Sequence, residues 1–320
     1  MSCFIPLLLL ILEYALVNGL PSAEIHVVAQ PHAEYLGHHV LGGNESMSTV
    51  DQTWLSNSRM AYLTGGPVLT QKVHVHYIFY GSWSEYKKQV IRDFTSGLGD
   101  SAWWKLTQKY YYQANSQASR EYVSEVHLGR TVDDQYSLGH SLSGYDVPNI
   151  IMKFIKSHAL PLDPGAVYFL LVSDDVDESM RPDVGQGTKF KSGYCGYHLS
   201  WQLNSNPAQR IHYAVSGYTD VGGCLPPQNS QKSPNGDVNL DALISTMAHE
   251  ITETVTDPEP DVQRSWQSPD YYENADVCAW NFGTTEQTDD GAVYNHEFYG
   301  RKWLIQQVYD LDTLQCASSP

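Results

Sequence analysis

The stretch Asp237 to Pro258, DVNLDALISTMAHEITETVTDP, constrains this chain more than any other, because it sets one imidazole and two carboxylates on a single expected helix. Leu240, Leu243, Ile244, Met247, Ala248, Ile251 and Val255 recur at spacings of three and four, the pattern of one apolar helical face. His249 and Glu253 then stand at i and i+4, one turn apart on the same side. An imidazole and a carboxylate so placed can grip one metal ion between them. The arrangement follows the helical His-Glu-x-x-His zinc site, with Glu in place of the second His and the adjoining Glu250 available as general base. A His-Glu pair alone says little. The chain has another at His296-Glu297, followed by Phe298, Tyr299 and Gly300 and no ligand type. What sets the first apart is Glu273 and Asp276, about 20 residues downstream, either of which would complete a three-ligand site with water in the fourth position.

Composition limits the partners. A net charge of −17 at pH 7 argues against nucleic acid and anionic membrane surfaces, both of which demand basic patches. Residues 1–19, or as far as 23, read as a secretory signal peptide: Phe4 to Leu12 is an apolar run too short to span a bilayer, and small residues near Gly19 offer a cleavage point. Cysteine use agrees with export. Beyond Cys3 four remain, and an even number in an oxidising compartment favours two disulfides. Neighbourhood favours Cys195 with Cys224 and Cys278 with Cys316. Asn44-Glu45-Ser46 is the one glycosylation acceptor.

Residues 24–60 carry His26, His32, His38 and His39 among Pro, Gly and Ser without a period, and read as a flexible leader or propeptide. The globular domain is expected over residues 61–320. Val73 to Tyr80 reads as a strand, and Ala166 to Ser173, AVYFLLVS, as one buried on both faces. Ser82 to Leu98 reads as a helix opened by a capping box from Ser82 to Glu85. Trp103 to Tyr111 and Val147 to Ser157 are further expected helices, the second with Asp146 as N-cap. Tyr122 to Leu128 and Ile211 to Val215 are further strands, the latter inside a Gly-, Pro- and Ser-rich stretch from Arg181 to Asn235. The acidic run Asp174, Asp175, Asp177 lacks the spacing of a calcium loop and reads as a solvated strand end. Alternating strands and helices point to an α+β (mixed α/β) fold, a single zincin-like domain with a mixed sheet and an active-site helix carrying HExxE.

The segments YLTGGPVLTQKVHVHYIFYGSW, Trp103-Trp104-Lys105, Lys109-Tyr110-Tyr111, Cys195-Gly196-Tyr197-His198, AHEITETVTDP, Glu273 to Cys278 and Gly300 to Leu304 together resemble the EXORDIUM, or phosphate-induced, protein family. They run in order from about residue 62 to residue 316, and such order is specific. The resemblance implies a secreted protein, apoplastic or cell-wall-associated in plants and linked there to cell expansion and growth. The family pattern also implies a His-Glu-x-x-Glu segment at His249, Glu250 and Glu253, and a carboxylate segment at Glu273 and Asp276. Plant members carry further cysteines near the positions held here by Lys191 and the Gly222 region, so the growth role does not transfer on resemblance alone.

Two functional expectations follow. In the first the chain is a secreted zinc-dependent hydrolase, most simply a metallopeptidase acting on a peptide or extracellular polymer. His249 and Glu253 hold Zn²⁺, Glu273 or Asp276 is the third ligand, and the other orients His249. Glu250 is the general base and His198, with Tyr197, is placed to steady the oxyanion. In the second the chain is a non-catalytic extracellular protein of growth or signalling, keeping HExxE as a structural or metal-stabilised element. A monomer is expected in both.

Overall fold

The computed structural model describes residues 38–40 and 59–320, apart from 186, 207–208, 221 and 230. The expected signal peptide, the Asn44 acceptor and most of the expected leader lie outside the described residues.

The centre is a six-stranded sheet of β1 (His38–Val40), β2 (Val73–Tyr80), β3 (Val126–Asp134), β4 (Val167–Val172), β5 (Tyr194–Gln202) and β6 (Arg210–Gly217), in the order β1-β5-β6-β4-β2-β3. Strands β3, β2, β4 and β6 pair in parallel, whereas β5 runs antiparallel to β6, and β1 antiparallel to β5. The architecture is therefore mixed α/β around a mixed sheet. Parallel neighbours need crossover connections, and helices supply them. Helix α1 (Glu85–Leu98) and the short α2 (Trp104–Thr107) lie between β2 and β3, and α3 (Asp146–Lys156) between β3 and β4.

Side-chain alternation sorts each strand between two cores. In β4, Val167, Phe169 and Leu171 face the core that holds α1, α2 and the long helix α4 (Val238–Thr256), while Tyr168, Leu170 and Val172 face the core of α3. All six are fully buried, as the continuous apolar run requires. The same alternation in β5 sends Tyr197 and Leu199 to the α3 core. That leaves Gly196, His198 and Ser200 on the side of α4.

Helix α4 forms for local reasons and is placed by tertiary ones. Asp237 caps it, its carboxylate accepting from the Asn239 and Leu240 amides at 3.2 and 3.1 Å. Its far end comes at Asp257, one residue before Pro258, which cannot extend a helix. The seven apolar positions that define its face all enter one core, each of the larger ones adding about 1.5–3 kcal/mol on full burial. The opposite face is buried too, from Asp241 through Thr256. A polar helical face without water needs partners. Thr252 meets Thr107 at 2.8 Å, and Thr246, Thr254 and Thr256 turn back on their own helix, Thr256 for instance to the Thr252 carbonyl at 3.0 Å.

Several expected boundaries move. The N-cap of α1 is Ser84, whose hydroxyl accepts from the Lys87 amide, rather than Ser82. Asp146 lies inside α3 and accepts from Ser143, while Tyr145 is the cap position. The helix expected from Trp103 to Tyr111 is one turn only, because Tyr111 leaves to pair with Tyr122 in a two-residue ribbon. The strand expected over residues 122–128 is β3, displaced to Val126–Asp134. The largest omission is β5, inside the stretch read as loop-rich.

Both expected disulfides are present, Cys195–Cys224 and Cys278–Cys316, each with Cα atoms 5.6 Å apart. The first pins β5 three residues before His198, and the second pins the chain two residues after Asp276.

Candidate metal centre

Three separate parts of the chain meet beside α4. The helix contributes His249, Glu250 and Glu253; β5 contributes His198; and the segment before Cys278 contributes Glu273 and Asp276. His198 reaches the helix because Gly196 lets the two elements close up: a Cβ there would stand 2.7 Å from Thr246 Cγ2 and 2.8 Å from Glu250 Oε1. The downstream segment is held by Glu253 itself. Its Oε1 accepts from the Ala275 and Asp276 amides at 3.2 and 2.8 Å, where a 3₁₀ turn (Asp276–Cys278) begins.

With Oε1 so occupied, Glu253 Oε2 points between the two imidazoles, 3.0 Å from His249 Nε2 and 3.9 Å from His198 Nδ1. His249 Nε2 also lies 3.4 Å from Asp276 Oδ1. Ligands about 2.0–2.1 Å from a tetrahedral ion stand about 3.3 Å from each other, so these separations suit a divalent metal. His249, Glu253 and Asp276 offer ligand atoms that all lie within 4.8 Å of one another, and His198, Glu253 and Glu273 do the same. The open choice of third ligand is thus divided: Asp276 goes with His249 and Glu273 with His198. The orienting partner of His249 differs from expectation, since Nδ1 faces Gln306 Oε1 at 3.2 Å rather than a carboxylate.

The enclosure is close to complete. His198, Glu250 and Glu253 have no solvent exposure, His249 1% and Glu273 2%, and the Asp276 side chain, at 14%, is the most open of the set. Several oxygens in this space have no well-aligned hydrogen-bond donor, Glu250 Oε1 and both oxygens of Glu273 among them, and Glu253 Oε2 and Glu273 Oε1 have only an imidazole nitrogen close by, at 3.0 and 3.3 Å. Unsatisfied buried carboxylate oxygens are costly unless a cation meets them. The donor set therefore fits a divalent ion.

Electrostatics agree. Burial pushes the Glu250 carboxyl up to about 7 and the Glu273 carboxyl to about 8, despite the nearby imidazoles that pull both down. Burial also works against charge on His198 and His249, but Glu273 and Glu250 around the first, and Glu253 and Asp276 around the second, outweigh it and raise both well above the ordinary imidazole value. Burial and mutual attraction thus favour protons on these groups, which would have to be shed for them to ligate a metal.

The other candidates stand apart. His76 is packed, its Nδ1 accepting from the Arg130 amide at 2.8 Å. Asp174, Asp175 and Asp177 are exposed at the end of β4, and Asp175 accepts from Tyr136 at 2.8 Å. A surface cleft of about 550 Å³ lined by Tyr62, Tyr111, Tyr122 and Trp266, with Lys109 and Arg120, includes no residue of the cluster. Sequence reasoning missed Gln306 as a partner of His249. Gln306 follows the apolar run at the end of the chain, and no spacing rule links it to residue 249.

Residues 60–319 match the family described as the phosphate-induced protein 1 conserved region. Among curated proteins the chain is 32% identical over 273 residues to Protein EXORDIUM-like 3 of Arabidopsis thaliana, covering 76% of this chain and 78% of that protein. It is 25% identical over 280 residues to Protein PHOSPHATE-INDUCED 1 of Nicotiana tabacum, covering 79% and 86%, and 23% identical over 289 residues to Protein EXORDIUM of Arabidopsis thaliana, covering 79% and 87%. No solved structure matches the chain.

Proposed function

The chain belongs to the EXORDIUM, or phosphate-induced protein 1, family, and from that premise we propose that it is an exported, non-catalytic extracellular protein of growth or signalling whose HExxE helix holds a divalent ion as an internal brace. The observation that carries this reading is the burial of the cluster: five of its six side chains are at most 3% exposed. A hydrolytic metal must bring a substrate carbonyl to the ion and a base within about 3 Å of the attacking water. A cluster open to solvent chiefly at Asp276 leaves little room for a substrate carbonyl beside the ion.

In this reading His249, Glu253 and Asp276 would hold the ion, Zn²⁺ being the metal best suited to imidazole and carboxylate donors in a tetrahedral set. The ion would supply charge compensation, tying α4 to the segment that leads into the Cys278–Cys316 disulfide. Gln306 keeps His249 Nε2 turned inward by accepting from Nδ1. Glu250 faces His198 Nδ1 at 3.4 Å and serves the cluster's charge balance rather than a water molecule. Two disulfides and the family membership support export.

The second reading, a zincin-like zinc hydrolase with Glu250 as base, has one observation in its favour, the partial exposure of the Asp276 side chain. The two part company in a turnover assay. Purified protein with bound zinc is incubated with peptide and polysaccharide libraries beside Glu250→Gln. The brace reading expects no metal-dependent product above the variant's background and a melting temperature that falls on chelation. Zinc-dependent turnover abolished by Glu250→Gln would establish the hydrolase instead.

A further inference from the structure

We infer that the cluster is built for two divalent cations rather than one, with Glu253 as the ligand they share. The inference rests on the reading of α4 as a metal-holding helix and extends it to a second site made by His198, Glu253 and Glu273.

Three features of the structure support it. The two ligand sets, His249–Glu253–Asp276 and His198–Glu253–Glu273, are each complete to within 4.8 Å, and they have Glu253 alone in common. The shared atom is Oε2, which faces an imidazole nitrogen on each side, and the other oxygen is committed to the Ala275 and Asp276 amides. A single carboxylate oxygen placed between two nitrogen donors can bridge two metals.

The second feature is the state of His198. Its Nε2 lies 3.2 Å from the Asp257 carbonyl, which can only accept, so that nitrogen carries the hydrogen. Nδ1 faces Glu250 Oε2 at 3.4 Å and Glu253 Oε2 at 3.9 Å, and Glu273 Oε1 lies 3.3 Å from Nε2, so three glutamates ring this one imidazole. The backbone carbonyl of Asp257 also gives this imidazole the outer partner that metal-bound histidines use.

The supply of donors is the third. Beyond the Glu253 carboxylate that the two sets share, each set has an imidazole and a carboxylate of its own, so neither need borrow a ligand from the other.

The test is metal stoichiometry. Folded full-length protein is equilibrated with excess Zn²⁺, freed of unbound metal by gel filtration, and analysed for zinc per chain beside His198→Gln, Glu273→Gln and His249→Gln. Far-UV circular dichroism checks each variant's fold. The expected result is one equivalent fewer in His198→Gln and in Glu273→Gln than in the unmodified chain, and one fewer in His249→Gln. Taking differences removes any zinc held by His26, His32, His38 and His39. If His198→Gln and Glu273→Gln lose nothing while His249→Gln loses one equivalent, the second site is refuted and the single-ion reading stands. If none of the three loses zinc, both fall. Should a variant not fold, Mn²⁺ in the unmodified protein decides: paramagnetic resonance expects an exchange-coupled pair, and a spectrum of isolated Mn²⁺ alone overturns the proposal.

Discussion

At the scale of single residues, the burial of charge is what distinguishes this chain, and not all of it lies at the metal centre. Glu178 sits in the other core, 2% exposed, accepting hydrogen bonds from Tyr194 and Tyr197. Burial raises its pKa to about 7 from an ordinary 4.5. Between those two values the folded state binds a proton that the unfolded chain has released, so unfolding gains ground as pH rises. The contribution is complete below pH 4.5 and lost through pH 7. Glu178→Gln cannot titrate, so its melting temperature, relative to the unmodified chain, is expected to climb from pH 4.5 to 7.5; parallel curves would show that the carboxyl is not perturbed. Gly196 is the other telling residue. Gly196→Ala drives a methyl into Thr246 and Glu250 and is expected to cost about 1–3 kcal/mol in denaturant unfolding.

Among the elements, α4 and the segment ending in Cys278 depend on each other. Glu253 caps the turn that carries Asp276, and the Cys278–Cys316 disulfide, closing a separation of 38 residues, holds the same turn from its other side. Replacing both cysteines by Ser is expected to lower stability by about 2–4 kcal/mol through the unfolded chain, and also to weaken zinc binding in a calorimetric titration, since the ligand segment is freed. Equal zinc affinity in the two forms would show that Glu253 alone positions the turn. Asp237→Ala removes the cap at the far end of the helix and is expected to cost about 1 kcal/mol with zinc affinity unchanged, because the cluster lies three turns away.

For the molecule as a whole, the proposed metal would act as a fold-stabilising ligand. Binding to the folded state alone stabilises by about 4 kcal/mol at a thousandfold excess over Kd. Chelation is therefore expected to lower the melting temperature, and zinc to restore it; a melting temperature indifferent to both would remove the brace. Much of the architecture was legible beforehand. The strand at Val73–Tyr80 was placed to the residue, the seven apolar positions of α4 all enter the core, and both disulfides pair as expected. The failures share a cause. Strand β5 reads YCGYHLSWQ, in which Gly196, His198 and Ser200 occupy one face because the polar face of α4 covers it, so the apolar alternation of a strand is half erased. The expected helix at Trp103–Tyr111 shrinks to one turn likewise because another segment claims its end, Tyr111 pairing with Tyr122.

The sequence by itself determined the helix, its apolar face, its cap and stop, and the presence of His249, Glu250 and Glu253 one turn apart, because these rest on spacing within a few residues and on local backbone chemistry. Only the tertiary structure decided that Asp276 belongs with His249 and Glu273 with His198, that Gln306 stands behind the first imidazole, and that the whole set is enclosed. Those are contacts between β5, α4 and the chain around Cys278, brought together by sheet order and packing, and no spacing along the chain encodes which face another element will cover.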